Sequence, residues 1–342
     1  MSFGSTAPWT VGVEEELVLV DPETLQPAPV FERGLAVPER LKAELFACLV
    51  EAATPVCRDA AQALDSLVCL RREAANRAAR AGARLVAIGI HPLARSHGQP
   101  IVCEPRYEEM VAKLGDAVYR QLVCGLHVHV GVASEEACLR ALEGVLPWLP
   151  TLIALAANSP FAEGADTGCR SARIGRLGEL PGGGRPPVLR RWSDWEAAVA
   201  GRDYTRLWWD VRPHPRYGTL EVRVADQQTS VQRSAGFAAL AQALVATAAE
   251  EDPEPVDRAC YLAERRRAAV QPPHPAAVAA LRGLVEPAAR ALGGWPLVEK
   301  LLAGRPEAEG QLEAGPVGAL RHAAERTLVL EPSWASAPRP SG

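Results

Sequence analysis

Three short runs in this chain alternate apolar and ionisable residues with a period of two, and this pattern restricts the fold more than any other feature. Within the apolar run from Thr10 to Val20, Gly12-Val13-Glu14-Glu15-Glu16 puts Glu14 and Glu16 on one strand face and Glu15 on the other. Strand residues two apart sit roughly 7 Å from each other, where bare carboxylates repel by roughly 2 kcal/mol at an effective dielectric of about 20. A divalent cation on the shared face turns that repulsion into coordination, because hard cations favour carboxylate oxygens. Taken alone, the run is equally well explained by an edge strand with a solvated acidic face.

The other two runs change the balance. Cys124-Gly125-Leu126-His127-Val128-His129-Val130-Gly131-Val132 places both histidines on one face. Thr219-Leu220-Glu221-Val222-Arg223-Val224-Ala225-Asp226 does the same for Glu221 and Arg223. Carboxylates, imidazoles and a guanidinium converging from one sheet describe a site that holds metal ions and a polyanion together. The sheet explains all three runs at once.

The rest of the chain limits the alternatives. Its 342 residues suffice for one large domain or two ordinary ones, and 48% apolar with 23% charged residues befits a globular core. The division expected is one domain over 1–330 and a Pro/Ser-rich tail over 331–342. A net charge of −4 with no dominant basic patch argues against a nucleic-acid partner. No membrane-spanning run or signal peptide is read, and the cysteines form no C-x-x-C pair, so a reduced, cytoplasmic setting away from membranes is expected. Cys48, Cys69 and Cys138 read as small apolar groups on helix faces. Lysine is confined to Lys42, Lys113 and Lys300, and neither a G-x-x-x-x-G-K-[ST] loop nor a strand followed by G-x-G-x-x-G occurs. Nucleotide phosphates, if bound, must therefore be met by arginine and metal ions.

Along the chain, residues 39–50 read as helical or mixed, and Asp59 as the cap of a helix reaching about Arg80 and ended by Gly82. A strand is expected over Arg84 to Ile90 and a helix over Tyr107 to Arg120. Ser134 with Glu135 and Glu136 starts a helix that breaks near Pro147 and Pro150 and resumes to about Ala157. Residues 159–190 read as a long loop and Trp192 to Gly201 as a short helix. Leu207 to Val211 and Thr219 to Asp226 read as a hairpin around Pro213 to Gly218. Helix follows from Ser230 to near Ala249, then in pieces over 256–270, 274–291 and 315–328. Irregular alternation with paired strands favours an α+β fold with a mainly antiparallel sheet over a doubly wound parallel one.

The ordered set Gly12-Val13-Glu14-Glu15-Glu16, Gly125-Leu126-His127-Val128-His129-Val130-Gly131, Ala157-Asn158-Ser159-Pro160-Phe161, Trp209-Asp210-Val211-Arg212-Pro213-His214-Pro215 and Gly218-Thr219-Leu220-Glu221-Val222-Arg223 resembles the carboxylate–amine ligase family, also called type 2 glutamate–cysteine ligases. The likeness runs from about residue 9 to 290. More distantly, the same three strands resemble the glutamine synthetase superfamily. The resemblance implies a curved, mainly antiparallel sheet with helices on its outer face and the site on the concave face. It implies ATP and Mg²⁺ (or Mn²⁺), phosphorylation of a carboxylate to an acyl phosphate, attack by an amine, and a homodimer.

Residue by residue, Glu14, Glu16, Glu51, His127 and Glu221 match metal ligands. His129 matches a neighbouring position that contacts substrate or phosphate, and Arg223 suits charge on a transferring phosphoryl group. Arg173 matches a loop that reaches substrate. Arg212 and His214 sit between prolines as candidate substrate or ATP contacts, although Arg212 pairing structurally with Asp210 fits as well. His91 before Pro92 is read as packing a loop. Two departures stand out: relatives read Glu-Asn-x-Trp-Arg-Ala-Ala-Arg where this chain reads Ala263-Glu264-Arg265-Arg266-Arg267-Ala268-Ala269-Val270, and the loop after Arg173 is shortened around Gly182 to Gly184. The leading expectation is an ADP-forming ligase joining a carboxylate, such as the γ-carboxylate of glutamate, to an amine such as cysteine. The alternatives are a zinc-dependent amide hydrolase built on His127 and His129, and a Mg·ATP-binding protein without catalysis.

Overall fold

The computed structural model describes every residue except 1, 2, 6, 33, 34, 36 and 332–342, so the Pro/Ser-rich tail lies outside the described residues apart from Glu331. The strands are β1 (Val11–Val20), β2 (Leu41–Ala43), β3 (Leu49–Ala53), β4 (Arg84–Val86), β5 (Gly125–Gly131), β6 (Phe161–Ala162), β7 (Ala165–Asp166), β8 (Val211–His214) and β9 (Thr219–Asp226). The helices are α1 (Ala60–Arg80), α2 (Pro105–Leu114), α3 (Asp116–Tyr119), α4 (Glu135–Val145), α5 (Leu149–Ala156), α6 (Ala172–Leu177) and α7 (Trp192–Val199). They continue with α8 (Val231–Ala248), α9 (Arg258–Val270), α10 (Pro275–Ala291), α11 (Trp295–Ala303) and α12 (Glu307–Arg326).

The main sheet runs β2-β3-β1-β5-β9-β8, with β4 also pairing β1, and each of these pairings is antiparallel. The two faces of β1 differ in kind. Val11, Val13 and Glu15 point into a core that includes Leu126, Val128 and Val130 of β5 and residues of α1, α4, α5 and α8. Gly12, Glu14 and Glu16 point the other way and are only partly buried. Glu15 lies in that core at 0% exposure, where Arg71 of α1 donates to both its carboxylate oxygens at 2.8 and 2.6 Å. Ser234 Oγ and Gln227 Nε2 add bonds at 2.6 and 2.8 Å. A charge buried so deeply survives only when paired and fully hydrogen-bonded, and here it is both.

Several boundaries differ from the sequence expectation. Residues 39–50 are not helical, because Leu41–Ala43 pairs antiparallel with the strand that starts at Leu49, and that strand pairs antiparallel with β1. Gly115, at φ 53°, divides the expected Tyr107 to Arg120 helix into α2 and α3. Strand structure ends at Val86, short of Ile90, and β8 runs on through Pro213 to His214 instead of ending at Val211. The supposed loop 159–190 carries β6, β7 and α6; α11 was unforeseen, and α12 starts at Glu307 with a kink at Gly315. Asp59 and Ser134 do cap their helices, accepting from the backbone N–H of Gln62 and Ala137.

The stretch Glu135–Ala156 meets the length and hydropathy of a membrane span, contrary to the expectation that no run would. Its most apolar window is 72% buried inside the protein, packed against α8 and β9. Of the cysteines, Cys138 is buried on α4 as expected. Cys69 is exposed, because it falls off the buried stripe of α1, and Cys48 is buried between β2 and β3, not on a helix.

Candidate active site

Register places the ionisable residues opposite one another across five strands. Glu16 faces Glu51 of β3, Glu14 faces His127 of β5, His129 faces Glu221 of β9, and Glu221 faces Arg212 of β8. Directly opposed residues on one face bring their Cβ atoms to about 5 Å, so neighbouring strands alone assemble the cluster. A bulge between Leu126 and Val128 sets both Arg223 and Val224 against His127. Such a bulge re-aims side chains, and Arg223 here turns back to pair with Glu221.

Atom by atom, His127 Nδ1 lies 3.5 Å from Glu14 Oε2 and its Nε2 3.9 Å from Glu16 Oε1. His129 Nε2 lies 3.6 Å from Glu14 Oε1 and 3.9 Å from Glu221 Oε1, and has no hydrogen-bond partner of its own. One donor atom each from Glu14, His127 and Glu221 fall within 4.8 Å of one another. Next to them opens a hollow of about 430 Å³, which all the expected site residues line except His129 and Glu221, buried behind it. That volume lies within the usual range for small-molecule sites, about 300–1,000 Å³.

Charge is divided unevenly over this hollow. At one end lie Glu16, Glu44 and Glu51 with Lys42, whose Nζ is 2.7 Å from Glu51 Oε1, while Arg173 and Arg223 act on Glu16 from a greater distance. Burial, with Glu44 nearby, pushes Glu16 up to about 7. Burial and the charges of Glu14 and Glu44 hold Glu51 well above the usual carboxylate range, even against Lys42. At the other end Arg212 and Arg223 both pair with Glu221 and, against the effect of burial, hold it well below that range. Burial also works against charge on Glu14, but His129 and His127 outweigh it. Burial and Arg223 bring His127 down to about 4, whereas Glu221 and Glu14 raise His129 despite its burial.

Such a donor set fits Mg²⁺ or Mn²⁺. Four carboxylates line one hollow, burial and neighbouring carboxylates hold two of them above their ordinary range, and a buried imidazole nitrogen has no partner. Glu14, His127 and Glu221 are the set that would hold such an ion, with Glu16, Glu51 and Glu44 lining the same hollow.

Glu44 and Lys42 line the hollow and were missed by sequence reading. They carry the same i, i+2 signal as the other strands, hidden because the segment was read as helix. Also missed were Tyr204, Trp208 and Tyr217, which line the hollow; Tyr217 stacks on His214 with ring centroids 4.2 Å apart. Arg212 does not pair with Asp210. Arg265 of α9 takes that aspartate at 2.6 Å, with Tyr261 Oη donating at 2.7 Å, which leaves Arg212 for Glu221 at 2.7 Å. Arg265, in the segment that departs from relatives, is thus a buried brace, while Arg267 is half-exposed and pairs with Glu264. His91 lies apart from the hollow. Its Nε2 is 2.8 Å from Leu25 O and its Nδ1 accepts from Ala94 N at 2.9 Å, a loop-packing role.

The sequence profile of glutamate–cysteine ligase family 2 matches residues 10–327. The chain belongs to that family. A Rubrobacter xylanophilus protein bearing the name glutamate–cysteine ligase 2-3 is 43% identical over 265 residues, covering 74% of this chain and 73% of that one. A glutamate–cysteine ligase 2-1 by name, from Saccharopolyspora erythraea, is 40% identical over 256 residues, 72% of this chain and 68% of the relative. Among solved structures, glutamate–cysteine ligase from Francisella tularensis in complex with AMP superposes with TM-score 0.69 at 12% identity, covering 97% of this chain and 91% of that one. The bifunctional glutathione synthetase of Pasteurella multocida gives TM-score 0.66 at 14% identity over 93% of this chain. This chain spans 51% of that protein's length. At these identities the likeness is one of fold, and the fold of this family member, mixed helix and antiparallel sheet, is that of ligases.

Proposed function

We propose that this family member is an ATP-dependent, ADP-forming carboxylate–amine ligase acting through an acyl phosphate. The γ-carboxylate of glutamate is the proposed acceptor and an amine, such as that of cysteine, the nucleophile. The observation that carries this reading is the division of one hollow into an under-neutralised acidic end and an arginine-rich end on adjacent strands. Phosphoryl transfer needs charge on the moving group neutralised, with acceptor and donor held in line. Divalent cations held by Glu14, Glu16, Glu44, Glu51, His127 and Glu221 would supply that neutralisation on the phosphate oxygens.

The chain's own groups account for the rest. Arg223 projects into the hollow, and its guanidinium is positioned by Glu221 to follow charge as it shifts on the phosphoryl oxygens. Arg212 donates to Glu221 at 2.9 Å and to Thr205 O at 2.6 Å, fixing the carboxylate on which Arg223 rests. His129, expected to contact substrate or phosphate, is instead tied through Nδ1 to Thr219 Oγ1 at 3.0 Å behind the hollow, where its free Nε2 faces Glu14 and Glu221 and positions those carboxylates. His214, stacked on Tyr217, forms an aromatic wall with Tyr204 where the substrates enter. A curved sheet with its helices outside, a single domain over 1–330, cytoplasmic location and homodimeric assembly belong to the same proposal.

The test is ADP release by purified protein and Mg²⁺ across a panel of carboxylates and amines. ADP formed only when an acceptor carboxylate is present, alone or with an amine, is expected. AMP and pyrophosphate as products would rule out the acyl-phosphate route, and neither ADP nor AMP with any pair would reject ligase activity.

A further inference from the structure

Of the arginines that line the hollow, Arg212 and Arg223 share Glu221 and Arg106 pairs with Glu104, whereas buried Arg173 makes no ion pair among the described residues. Arg173 is nevertheless 2% exposed and has an Nε without a hydrogen-bond partner. Its terminal nitrogens donate only to Arg223 O, at 3.3 and 3.2 Å, and meet His127 Nε2 at 3.4 Å. Glu16 and Asp226 lie near enough to act on its charge, but neither forms an ion pair with it, and a buried guanidinium lining a cavity with donors left unpaired is a receptor for an anionic oxygen.

Two features hold it there. The start of α6 is tied to the end of β9: Asp226 accepts from Ser159 Oγ at 2.7 Å, Ser171 Oγ at 2.8 Å and Asn158 N at 2.9 Å, and Ser159 Oγ accepts from Arg173 N at 3.2 Å. The second feature is an empty position. A Cβ on Gly125 would stand 2.1 Å from one terminal nitrogen of Arg173, 2.8 Å from its Cζ and 3.0 Å from His127 Nε2. Gly125 does not adopt the left-handed conformation that would itself demand glycine. The glycine is therefore required by the arginine, not by the backbone.

We propose that Gly125 is a positioning residue, whose missing Cβ seats the Arg173 guanidinium beside His127 as the hollow's receptor for an anionic ligand oxygen. The source of that oxygen, a nucleotide phosphate or an acceptor carboxylate, rests on the function proposed above; the seating does not. The atom in the way of a new methyl group is the far end of a flexible side chain, so G125A folds and displaces Arg173.

The experiment measures binding by calorimetry for the full chain and for G125A, R173A and the double variant, with melting temperature recorded for each. Mg·AMPPNP probes the nucleotide phosphate, L-glutamate the acceptor carboxylate and inorganic phosphate a bare anion. G125A is expected to melt within a few degrees of the parent protein and to lose about 10- to 100-fold in affinity for at least one probe, the range for losing charge-assisted hydrogen bonds. R173A should lose a similar factor, and the double variant no more than R173A, because both act on one contact. Parent-like affinity in G125A, or losses that multiply in the double variant, would overturn the inference and leave the ligase reading standing. Binding of glutamate or phosphate but not Mg·AMPPNP, weakened by both single variants, would uphold the inference and reject the ligase reading. Failure of the parent protein to bind any probe would overturn both.

Discussion

Glu15 and Glu16 are neighbours on one strand, and the two sides of the sheet treat them in opposite ways. Glu15 receives a bidentate arginine, a hydroxyl and an amide, and is held below the ordinary carboxylate range because Arg71 outweighs the cost of its burial. Glu16 receives one backbone N–H, from Gly125 at 2.5 Å, and burial with Glu44 nearby pushes it up to about 7. A saturated acid on the core side belongs to the architecture. Unsaturated acids on the other side form a site that wants cations from outside. Burial alone does not separate the two; the count of partners does.

Four measurements test this contrast, in order of expected size. Removing Arg71 as R71M strands Glu15 in the core and should cost about 3–5 kcal/mol in a urea melt, the range for breaking a buried ion pair. A loss below about 1 kcal/mol would mean that the core-side acid is no more committed than the site-side ones. The second measurement is pH. In chelator-treated protein the folded state keeps a proton on Glu16 between its ordinary range and about 7, where the unfolded chain has released it. That contribution is present in full below about 4.5 and lost as pH rises through 7, a fall of roughly 2–3 kcal/mol, while E16Q flattens the slope. Glu15 gives the opposite sign, stabilising above the ordinary range and losing this only in stronger acid. Equal pH slopes for the parent and E16Q would break the contrast.

Divalent cation is the third lever. Mg²⁺ at about 100 times its dissociation constant should stabilise the parent protein by about 2.7 kcal/mol, against less than half of that in E14Q or E51Q. Thermal shift with and without chelator reads this directly, and equal shifts in all three proteins would place the cation elsewhere. The smallest effect is expected from R267A, since Arg267 is half-exposed and pairs only with exposed Glu264. Its stability should stay within about 0.5 kcal/mol of the parent and its ATP affinity should be unchanged.

Much of the site was legible because strand alternation is local. His127 and His129 share a face, as do Glu14 and Glu16, whatever the rest of the chain does, and the caps at Asp59 and Ser134 depend on only a few neighbouring residues. The failures have the opposite cause. Leu41–Ala43 is too short to show a period and becomes a strand only by pairing with β3. Arg173 looked like a loop residue because α6 is six residues long and its start is anchored by Asp226, more than fifty positions away. Arg212 was offered Asp210 by proximity in sequence, but Arg265 had already occupied it from α9.

The amino-acid order by itself determined which side chains share a face, where two helices begin, and that no lysine loop is available to meet a nucleotide. Those are consequences of dihedral geometry and composition over a few residues. Only the tertiary structure decided which acids are neutralised and which are left wanting. That outcome depends on which strand lies next to which, on a bulge opposite His127, and on a missing Cβ at Gly125. Electrostatic pairing acts across space over a few ångströms, and the chain separates partners such as Glu15 and Ser234 by 219 residues.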